Sequence, residues 1–389
     1  PEQVKHVRAE QDGALAEVVS KSLGASMQHA TELIRLGAVY VDRVRATMDG
    51  EEEVLVKKDA YVRIHSSPRR FHVAREVDWR KRIVKEHEDY VVVNKPGGVP
   101  VHASLDNRLE TVCSCAARVL GCRELTAMHR LDVPTHGLLV LGKRSEFVSR
   151  FNRLLREHQV SKEYKALVLG HPPLGELVHY MEPSKRSPKV LDTAAREGWL
   201  ECRLVVKSAS RRETASLSER AASVLQQQSR VRDEKQADAE EDKSPLEVYE
   251  VRIELITGRT HQIRAQMAFA GCPVVGDEMY GIGGSSGDLL QEETRREFSM
   301  DVEAKTRART MEAEGTLALQ ACRLVLPDMM GKGVSEERGD SKRRKCERSE
   351  DKDAKPDGEA EEGTRSPSLS GQQIFELKLA WWDQEKLQE

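Results

Sequence analysis

The segment 128–137 (MHRLDVPTHG) contains one acid, three potential cations and two turn residues. Pro134 and Gly137 predict a turn that carries Asp132, and the apolar run after it predicts a buried strand. A carboxylate in this setting can act as a base, a nucleophile or a metal ligand. It can also do no more than hydrogen-bond the turn, and this segment alone leaves those alternatives open.

A second polar cluster lies in the segment 255–264 (LITGRTHQIR), where a predicted strand is followed by a glycine turn and a predicted helix. Thr260 is a candidate cap for that helix. Cations beside a helix N-terminus suit an anionic backbone or a partner carboxylate, although an ordinary surface helix would show the same pattern. The cations here are Arg259, His261 and Arg264.

Other catalytic signatures are missing from the sequence. A metal-dependent nuclease or phosphotransfer site would need paired carboxylates, and no second carboxylate lies close to Asp132 in sequence. The chain has no P-loop and no GxGxxG motif. Its seven cysteines show no CxxC or Cys/His zinc spacing, and an odd number without a framework indicates reduced thiols inside a cell.

Five motifs are far more specific together than separately, and in this order they resemble the RluA-type pseudouridine synthase family. The resemblance covers residues 80–326 apart from polar inserts, and the segment 177–183 (LVHYMEP) resembles the plant-type branch of that family. The motifs are Asn94-Lys95-Pro96 with Gly98, His129-Arg130-Leu131-Asp132 with Thr135 and Gly137, Lys162-Glu163-Tyr164-Lys165-Ala166, Thr257-Gly258-Arg259-Thr260-His261-Gln262-Ile263-Arg264, and Gly276-Asp277-Glu278-Met279-Tyr280-Gly281.

The resemblance implies an isomerase that converts uridine in RNA to pseudouridine, with no cofactor and no metal. Asp132 matches the family's catalytic aspartate, and Arg264 matches the arginine that pairs with it. An opposite charge favours the ionised form of a carboxylate, whereas partial burial disfavours it. Tyr164 matches the aromatic residue that stacks on the flipped uracil.

The resemblance also implies groups that bind the substrate. Arg130 would fill the space left by the flipped nucleotide, whose extrusion costs a few kcal/mol, and a stacking tyrosine returns about 1–3 kcal/mol of that. His136 departs from the pattern, because the family usually has Ser or Thr there, and it is expected to change the hydrogen bonding of the turn. The other predicted substrate-binding residues are Lys95, His129, Arg259, Thr260 and His261.

Residues 13–70 are predicted to form a separate small module. Two short helix candidates, the second capped by Ser26 and ended by Gly37, precede small strands. The segment 34–42 (IRLGAVYVD) is similar to the alpha-L RNA-binding domain. For each arginine a solvated surface position is the alternative to a phosphate contact. The arginines predicted to contact RNA phosphates are Arg35, Arg43 and Arg45.

A catalytic domain is predicted over residues 80–329, after a linker at 66–79. The expected fold class is α+β, with a mixed, largely antiparallel sheet. Polar inserts are predicted at 208–245, as a disordered or helical surface segment, and at 283–315. A charged low-complexity insert at 330–372 contains the basic cluster 342–345, for which a solvated loop is preferred to a nuclear signal or an RNA patch. Residues 373–389 are predicted to hold the final strand and the C-terminus.

The predicted elements of this domain follow from runs of β-branched residues and from helical spacing of apolar residues. The predicted strands lie at 90–93, 138–141, 162–168, 199–206, 248–256 and 373–379, and the predicted helices at 109–120 and 146–158.

The chain has 389 residues, of which 33% are charged and 38% hydrophobic, and its net charge is only −3. A uniformly basic nucleic-acid binder would have a different balance, so basic residues are expected to concentrate around the motifs. No apolar run approaches the ~20 residues of a membrane span. No signal peptide opens the chain, and an upstream targeting segment stays an open alternative.

We therefore predict an RNA pseudouridine synthase that works as a monomer on ribosomal, transfer or messenger RNA in an intracellular, reducing compartment. One alternative is a catalytically inactive RNA-binding assembly factor on the same fold, which the intact set of Asp132, Tyr164 and Arg264 disfavours. Another is a metal-dependent nuclease or hydrolase, which insensitivity to chelators would exclude.

Overall fold

The protein is described by a computed structural model over residues 4–48, 50, 52–235, 246–281, 316–327 and 372–383. These residues form sheets of four, eleven and two strands, with helices packed on them. This arrangement confirms the predicted α+β class. No helix in these ranges is long and apolar enough to cross a membrane.

The N-terminal module packs two helices against the four-stranded sheet. Its elements are β1 (Val4–Arg8), β2 (Gly13–Ala14), α1 (Leu15–Leu23), α2 (Met27–Leu36), β3 (Val39–Val41), β4 (Val44–Arg45), β5 (Leu55–Val56) and β6 (Tyr61–His65). Val19 on α1 and Leu33 and Ile34 on α2 are buried in one core. The hydroxyl of Ser26 caps α2 by accepting from the N–H of His29 (3.2 Å). Because β1 pairs with β6, the module extends beyond its predicted start at residue 13.

The eleven-stranded sheet carries the rest of the molecule. Its strand order is β13-β12-β14-β15-β11-β16-β10-β8-β7, with β17 beside β16 and β9 beside β10. The β10–β16 pair is parallel, and the other described pairs are antiparallel. The elements are α3 (Val73–Glu76), β7 (Ile83–Glu86), β8 (Tyr90–Lys95), α4 (Val112–Leu120), β9 (Thr126–Ala127), β10 (His136–Gly142), α5 (Ser145–Arg156), β11 (Ser161–Leu169), β12 (Gly175–Met181), β13 (Leu191–Asp192), β14 (Leu200–Arg212), α6 (Glu219–Lys235), β15 (Val248–Leu255), α7 (Gln262–Phe269), β16 (Leu319–Leu326) and β17 (Gln373–Glu376).

Residues 66–79, predicted as a linker, belong to the catalytic core. They include α3, and their apolar side chains Phe71, Val73 and Trp79 are buried against the main sheet. The indole N–H of Trp79 donates to the carbonyl of Ala74 at 2.8 Å. The linker prediction was therefore wrong. It failed because these few apolar residues are scattered among basic and polar ones in the sequence.

A buried carboxylate, Glu110, holds two arginines that join the catalytic domain to the N-terminal module. It accepts from Nη2 of Arg70 (3.1 Å) and from the N–H of Phe71 (2.7 Å), and it pairs with Nε of Arg75 (2.6 Å). Both arginines also meet Glu32 on α2, at 3.0 and 3.6 Å. Several donors thus satisfy the oxygens of the buried Glu110 side chain. The module is therefore fixed against the catalytic domain.

Arg45 takes part in the same junction. Its Nη2 donates to the hydroxyl of Tyr40 (2.6 Å) and to the carbonyl of Ser104 (2.5 Å). The predicted phosphate contact of Arg45 was therefore wrong, because its guanidinium bridges the two parts of the protein. Arg35 and Arg43, in contrast, are exposed.

The predicted insert at 208–245 is folded over much of its length. β14 continues to Arg212, six residues past its predicted end, and the α6 region buries Leu217, Ala221 and Leu225. The helical alternative is therefore correct for residues 219–235, whereas residues 208–212 continue β14. Residues 236–245 lie outside the described residues, and so do 282–315 and 328–371, which contain the predicted basic cluster.

Residues 372–383 form a C-terminal strap on the large sheet. β17 pairs with β16 and ends at Glu376, three residues before its predicted end. Trp382 is fully buried, and its indole donates to Glu250 at 3.0 Å. Asp383 pairs with Arg212 at 3.1 Å. The strap therefore completes the core around α6.

Candidate active site

The turn that carries Asp132 is held from beneath by Lys95, the last residue of β8. The ammonium of Lys95 donates to the turn carbonyls of Val133 (2.9 Å) and Thr135 (2.8 Å) and to that of Pro96 (3.0 Å). Burial lowers the pKa of Lys95 to about 7, although nearby Asp132 opposes this. Because the side chain is 0% exposed, the predicted substrate contact of Lys95 was wrong. Lys95 supports the turn instead.

His136, the departure from the family pattern, is also buried behind the turn. Its Nδ1 accepts from the N–H of Gly97 at 3.1 Å, and its ring lies 5.7 Å from that of Trp381. A Cβ at Gly97 would stand 2.5 Å from the His136 ring, so glycine is needed there. His136 therefore links the turn that carries Asp132 to Gly97 through a buried hydrogen bond. It does not line the cavity that Asp132 lines.

The loop before α7 differs from its prediction at one point. The helix starts after His261, whose φ is 58°, and His261 makes no side-chain cap. The side-chain carbonyl of Gln262 instead accepts from the N–H of Arg259 (2.9 Å) and from the hydroxyl of Thr257 (2.9 Å). The capping role predicted for Thr260 was therefore wrong, because Gln262 organises this loop.

Arg264 lies between two carboxylates, of which only one was predicted. Its Nη1 is 3.6 Å from Oδ2 of Asp132. Its Nε and Nη2 donate to the two carboxylate oxygens of Asp277, at 2.7 and 2.8 Å. This two-point contact fixes the plane of the guanidinium. Asp277 therefore directs Arg264 towards Asp132, and its place in the fifth motif was the available signal for it.

Burial and pairing set the charges of this group. Burial disfavours the charge of Arg264, but Asp277 and Asp132 outweigh that effect and raise its pKa. Burial also favours neutral Asp277, yet Arg264 and two backbone N–H groups keep the pKa of Asp277 below its usual value. Arg264 and Asp277 are therefore both charged at neutral pH.

Tyr164 is held on β11 beside a local irregularity of the sheet. The β11–β16 register shifts between Glu163 and Tyr164, and such bulges re-aim side chains next to functional sites. Burial, with a contribution from Asp132, raises the pKa of Tyr164, so the phenol is neutral at physiological pH. A neutral aromatic ring suits stacking on a nucleobase.

The predicted site residues line one cavity of about 470 Å³, which is the size of an ordinary small-molecule site. Four predicted RNA-binding residues, Lys95, Arg35, Arg43 and Arg45, do not line the cavity. Among the described residues, no group of three His, Cys, Asp or Glu side chains could hold a metal ion. The predicted residues that line the cavity are Asp132, Tyr164, Arg264, Arg130, His129, Arg259, Thr260 and His261.

Two histidines in the cavity wall are neutral. Burial lowers the pKa of His261 to about 4 and that of His129 to about 3. Nε2 of His129 accepts from the N–H of Val140 (3.3 Å), and Nδ1 of His261 meets the hydroxyl of Tyr280 (3.2 Å). Nε2 of His261 lies 3.9 Å from Asp132, and because the imidazole is neutral this contact is not an ion pair.

The part of the chain that carries this site resembles a known protein family. The model of the RNA pseudouridylate synthase family matches residues 89–269. The protein named RNA pseudouridine synthase 6, chloroplastic, of Arabidopsis thaliana is 30% identical over 324 residues, covering 72% of this chain and 66% of that protein. Its counterpart of the same name in Oryza sativa subsp. japonica is 29% identical over 321 residues, covering 72% and 65%. Over this part, the chain is similar to the RNA pseudouridylate synthase family.

The similarity to the two plant proteins also confirms the predicted resemblance to the plant-type branch. The chain spans slightly less than two thirds of the length of each of them. A solved structure titled Human RNA Pseudouridylate Synthase Domain Containing 4 is 21% identical, with a TM-score of 0.41, and the match covers 66% of this chain and 87% of that chain.

Proposed function

We propose that this protein is an RNA pseudouridine synthase that isomerises uridine in RNA, with Asp132 as the catalytic residue and with no cofactor or metal. The observation that carries this proposal is the position of Asp132 at the cavity, 3.6 Å from the buried guanidinium of Arg264. The relatives reported above are named for the same activity.

In this proposal each group of the cavity has one task. Asp132 acts in its ionised form on the ribose or the base of the extruded uridine. Arg264 places its opposite charge 3.6 Å from that carboxylate. Tyr164 stacks on the uracil, and Arg130, which is exposed at the cavity, fills the space that the nucleotide leaves in the RNA.

The direct test is Asp132→Ala, assayed by tritium release from RNA that carries labelled uridine. Turnover should be abolished, because the other carboxylate beside Arg264, that of Asp277, does not line the cavity. RNA binding should largely survive. Asp78→Ala, at an exposed carboxylate before β7, is the control and should retain turnover. Full turnover in Asp132→Ala would refute the proposal. RNA binding with no turnover in the wild type would favour the inactive assembly factor instead.

We also propose that the protein is a monomer in an intracellular, reducing compartment. The cysteines of the described residues are free thiols, and burial raises the pKa of Cys115 and Cys272 to about 11, which makes both unreactive. The two plant relatives are named chloroplastic. The mass measured by light scattering tests the monomeric state. Imaging of a tagged protein in cells tests the proposed compartment.

A further inference from the structure

Lys162 is a half-buried cation of the cavity without a counter-ion in the described part of the chain. It lies on β11 two residues before Tyr164, and both side chains line the cavity. Within the described ranges its ammonium has no hydrogen bond or ion pair. Burial lowers the pKa of Lys162, which indicates that the ammonium has lost part of its hydration.

The two carboxylates that line the cavity, those of Asp132 and Glu254, lie beside cations other than Lys162. Asp132 lies 3.6 Å from Arg264, and Glu254 pairs with Lys207 at 2.9 Å. Neither carboxylate is paired with Lys162. A partly desolvated charge without a protein partner is unfavourable, and an anionic ligand would remove that cost. The charge of Lys162 is therefore available to whatever enters the cavity.

The surroundings of Lys162 suit a small anion. Its Nζ stands 3.8 Å from the position that a Cβ would take at Gly258, which has no side chain of its own. Exposed Arg259 follows directly and also lines the cavity. The nearby ring of His129 is neutral and brings no competing charge. A compact ammonium beside a glycine can approach a phosphate oxygen closely, without a side chain in the way.

We propose that Lys162 binds the phosphodiester group of the nucleotide that enters the cavity, an inference that rests on the proposed function. Lysine acts on phosphate as a point charge, so it can hold the backbone while the base and the ribose take up different orientations. The polar edge of uracil is neutral and needs directed hydrogen bonds, which an isolated ammonium on a flexible chain supplies poorly. Lys162 is thus a binding residue beside the catalytic Asp132.

The test measures the salt dependence of oligouridylate binding in the Asp132→Ala background, where turnover does not interfere. In Lys162→Met the slope of log K against log salt should become shallower by roughly 0.7, the value of one phosphate contact on a single strand. Lys162→Arg should retain the slope, because it keeps the charge. Lys81→Met, at an exposed lysine before β7, is the matched control and should leave the slope unchanged.

An unchanged salt slope in Lys162→Met would overturn the proposal. A lower kcat with unchanged RNA affinity, when Lys162→Met is made in the otherwise wild-type enzyme, would also overturn it, because that result would place Lys162 at the base. The Tm of Lys162→Met should be unchanged or higher, because an unpaired charge is removed. A clearly lower Tm would also count against the proposal. Tritium release by the wild type is measured in parallel, and its absence would refute the proposed function while leaving the slope comparison valid.

Discussion

Two carboxylates share one guanidinium at the centre of the site. Asp277 binds Nε and Nη2 of Arg264, which leaves Nη1 for Asp132 at 3.6 Å. A buried guanidinium keeps its place only when it is paired, because a lone charge in this environment is costly. Asp277 is thus a positioning residue, which acts on the reaction through Arg264.

Asp277→Asn should lower the free energy of unfolding by about 3–5 kcal/mol, because it leaves the buried Arg264 without its two-point charged partner. Tritium release should fall as well, since Arg264 would no longer be held towards Asp132. Urea denaturation measures the first effect. Glu176→Gln, which breaks the exposed pair with Arg203, is the control and should cost about 0–1 kcal/mol. Similar losses in both variants would contradict the role of Asp277.

The motifs named several residues that the folded chain brings to one cavity. Asp132, Tyr164 and Arg264 were predicted from their local sequence, and the structure brings them to one cavity. In the sequence Lys95 looks like these residues, because it is a polar residue beside a glycine-rich turn. Sequence does not tell whether such a side chain faces a ligand or the backbone carbonyls beneath it. Asp277 had no predicted role because its partner is apparent only in the folded chain.

At the scale of elements, Lys95 connects the end of β8 to the turn before β10. Three carbonyls converge on its ammonium, two of them from the turn that carries Asp132. Hydrogen bonds to charged groups contribute about 1.5–3 kcal/mol each. The position of Asp132 is therefore set by a contact between two elements rather than by the turn residues alone.

Lys95→Met should reduce pseudouridine formation and lower the free energy of unfolding by at least about 2 kcal/mol, because buried carbonyls lose their donor. Oligouridylate binding should change little, since Lys95 does not reach the cavity. The measurements are tritium release, urea denaturation and a binding titration. Lys85→Met, at an exposed lysine on β7, should match the wild type in all three. Full activity in Lys95→Met would show that the turn holds Asp132 without this support.

Strands were easier to predict than connections. Runs such as the one at 90–93 and the one at 138–141 are continuous and β-branched or apolar, and β8 and β10 cover them. The start of α7 was missed because the side chain of Gln262, and not that of Thr260, satisfies the loop. The segment 66–79 was missed because its few apolar residues, scattered among basic and polar ones, carry no periodic signal.

At the scale of the whole molecule, the N-terminal module is anchored beside the catalytic domain. The pairs of Glu110 and Glu32 with Arg70 and Arg75 cross the junction, and Arg45 strengthens it. Arg35 and Arg43 remain exposed for a partner. If the module binds RNA, it does so at a constant distance from the cavity.

The double variant Arg35→Gln with Arg43→Gln should weaken oligouridylate binding and make its salt slope shallower by up to about 1.4, because two phosphate contacts are removed. Arg45→Gln is the comparison. It should leave the slope unchanged, since the guanidinium of Arg45 is engaged by Tyr40 and Ser104. If the double variant keeps the wild-type slope, the module does not read phosphates.

The C-terminal strap has a consequence for the continuity of the chain. Residues 372–383 are attached to the large sheet by the β16–β17 ladder, by the burial of Trp382 and by the Asp383–Arg212 pair. These contacts do not depend on the peptide bonds between residues 327 and 372. A cut in that interval should leave the strap bound, and a synthetic peptide of residues 372–383 should restore a chain that stops at residue 327. The strap is in this sense bound to the sheet as a separate fragment would be, through non-covalent contacts alone.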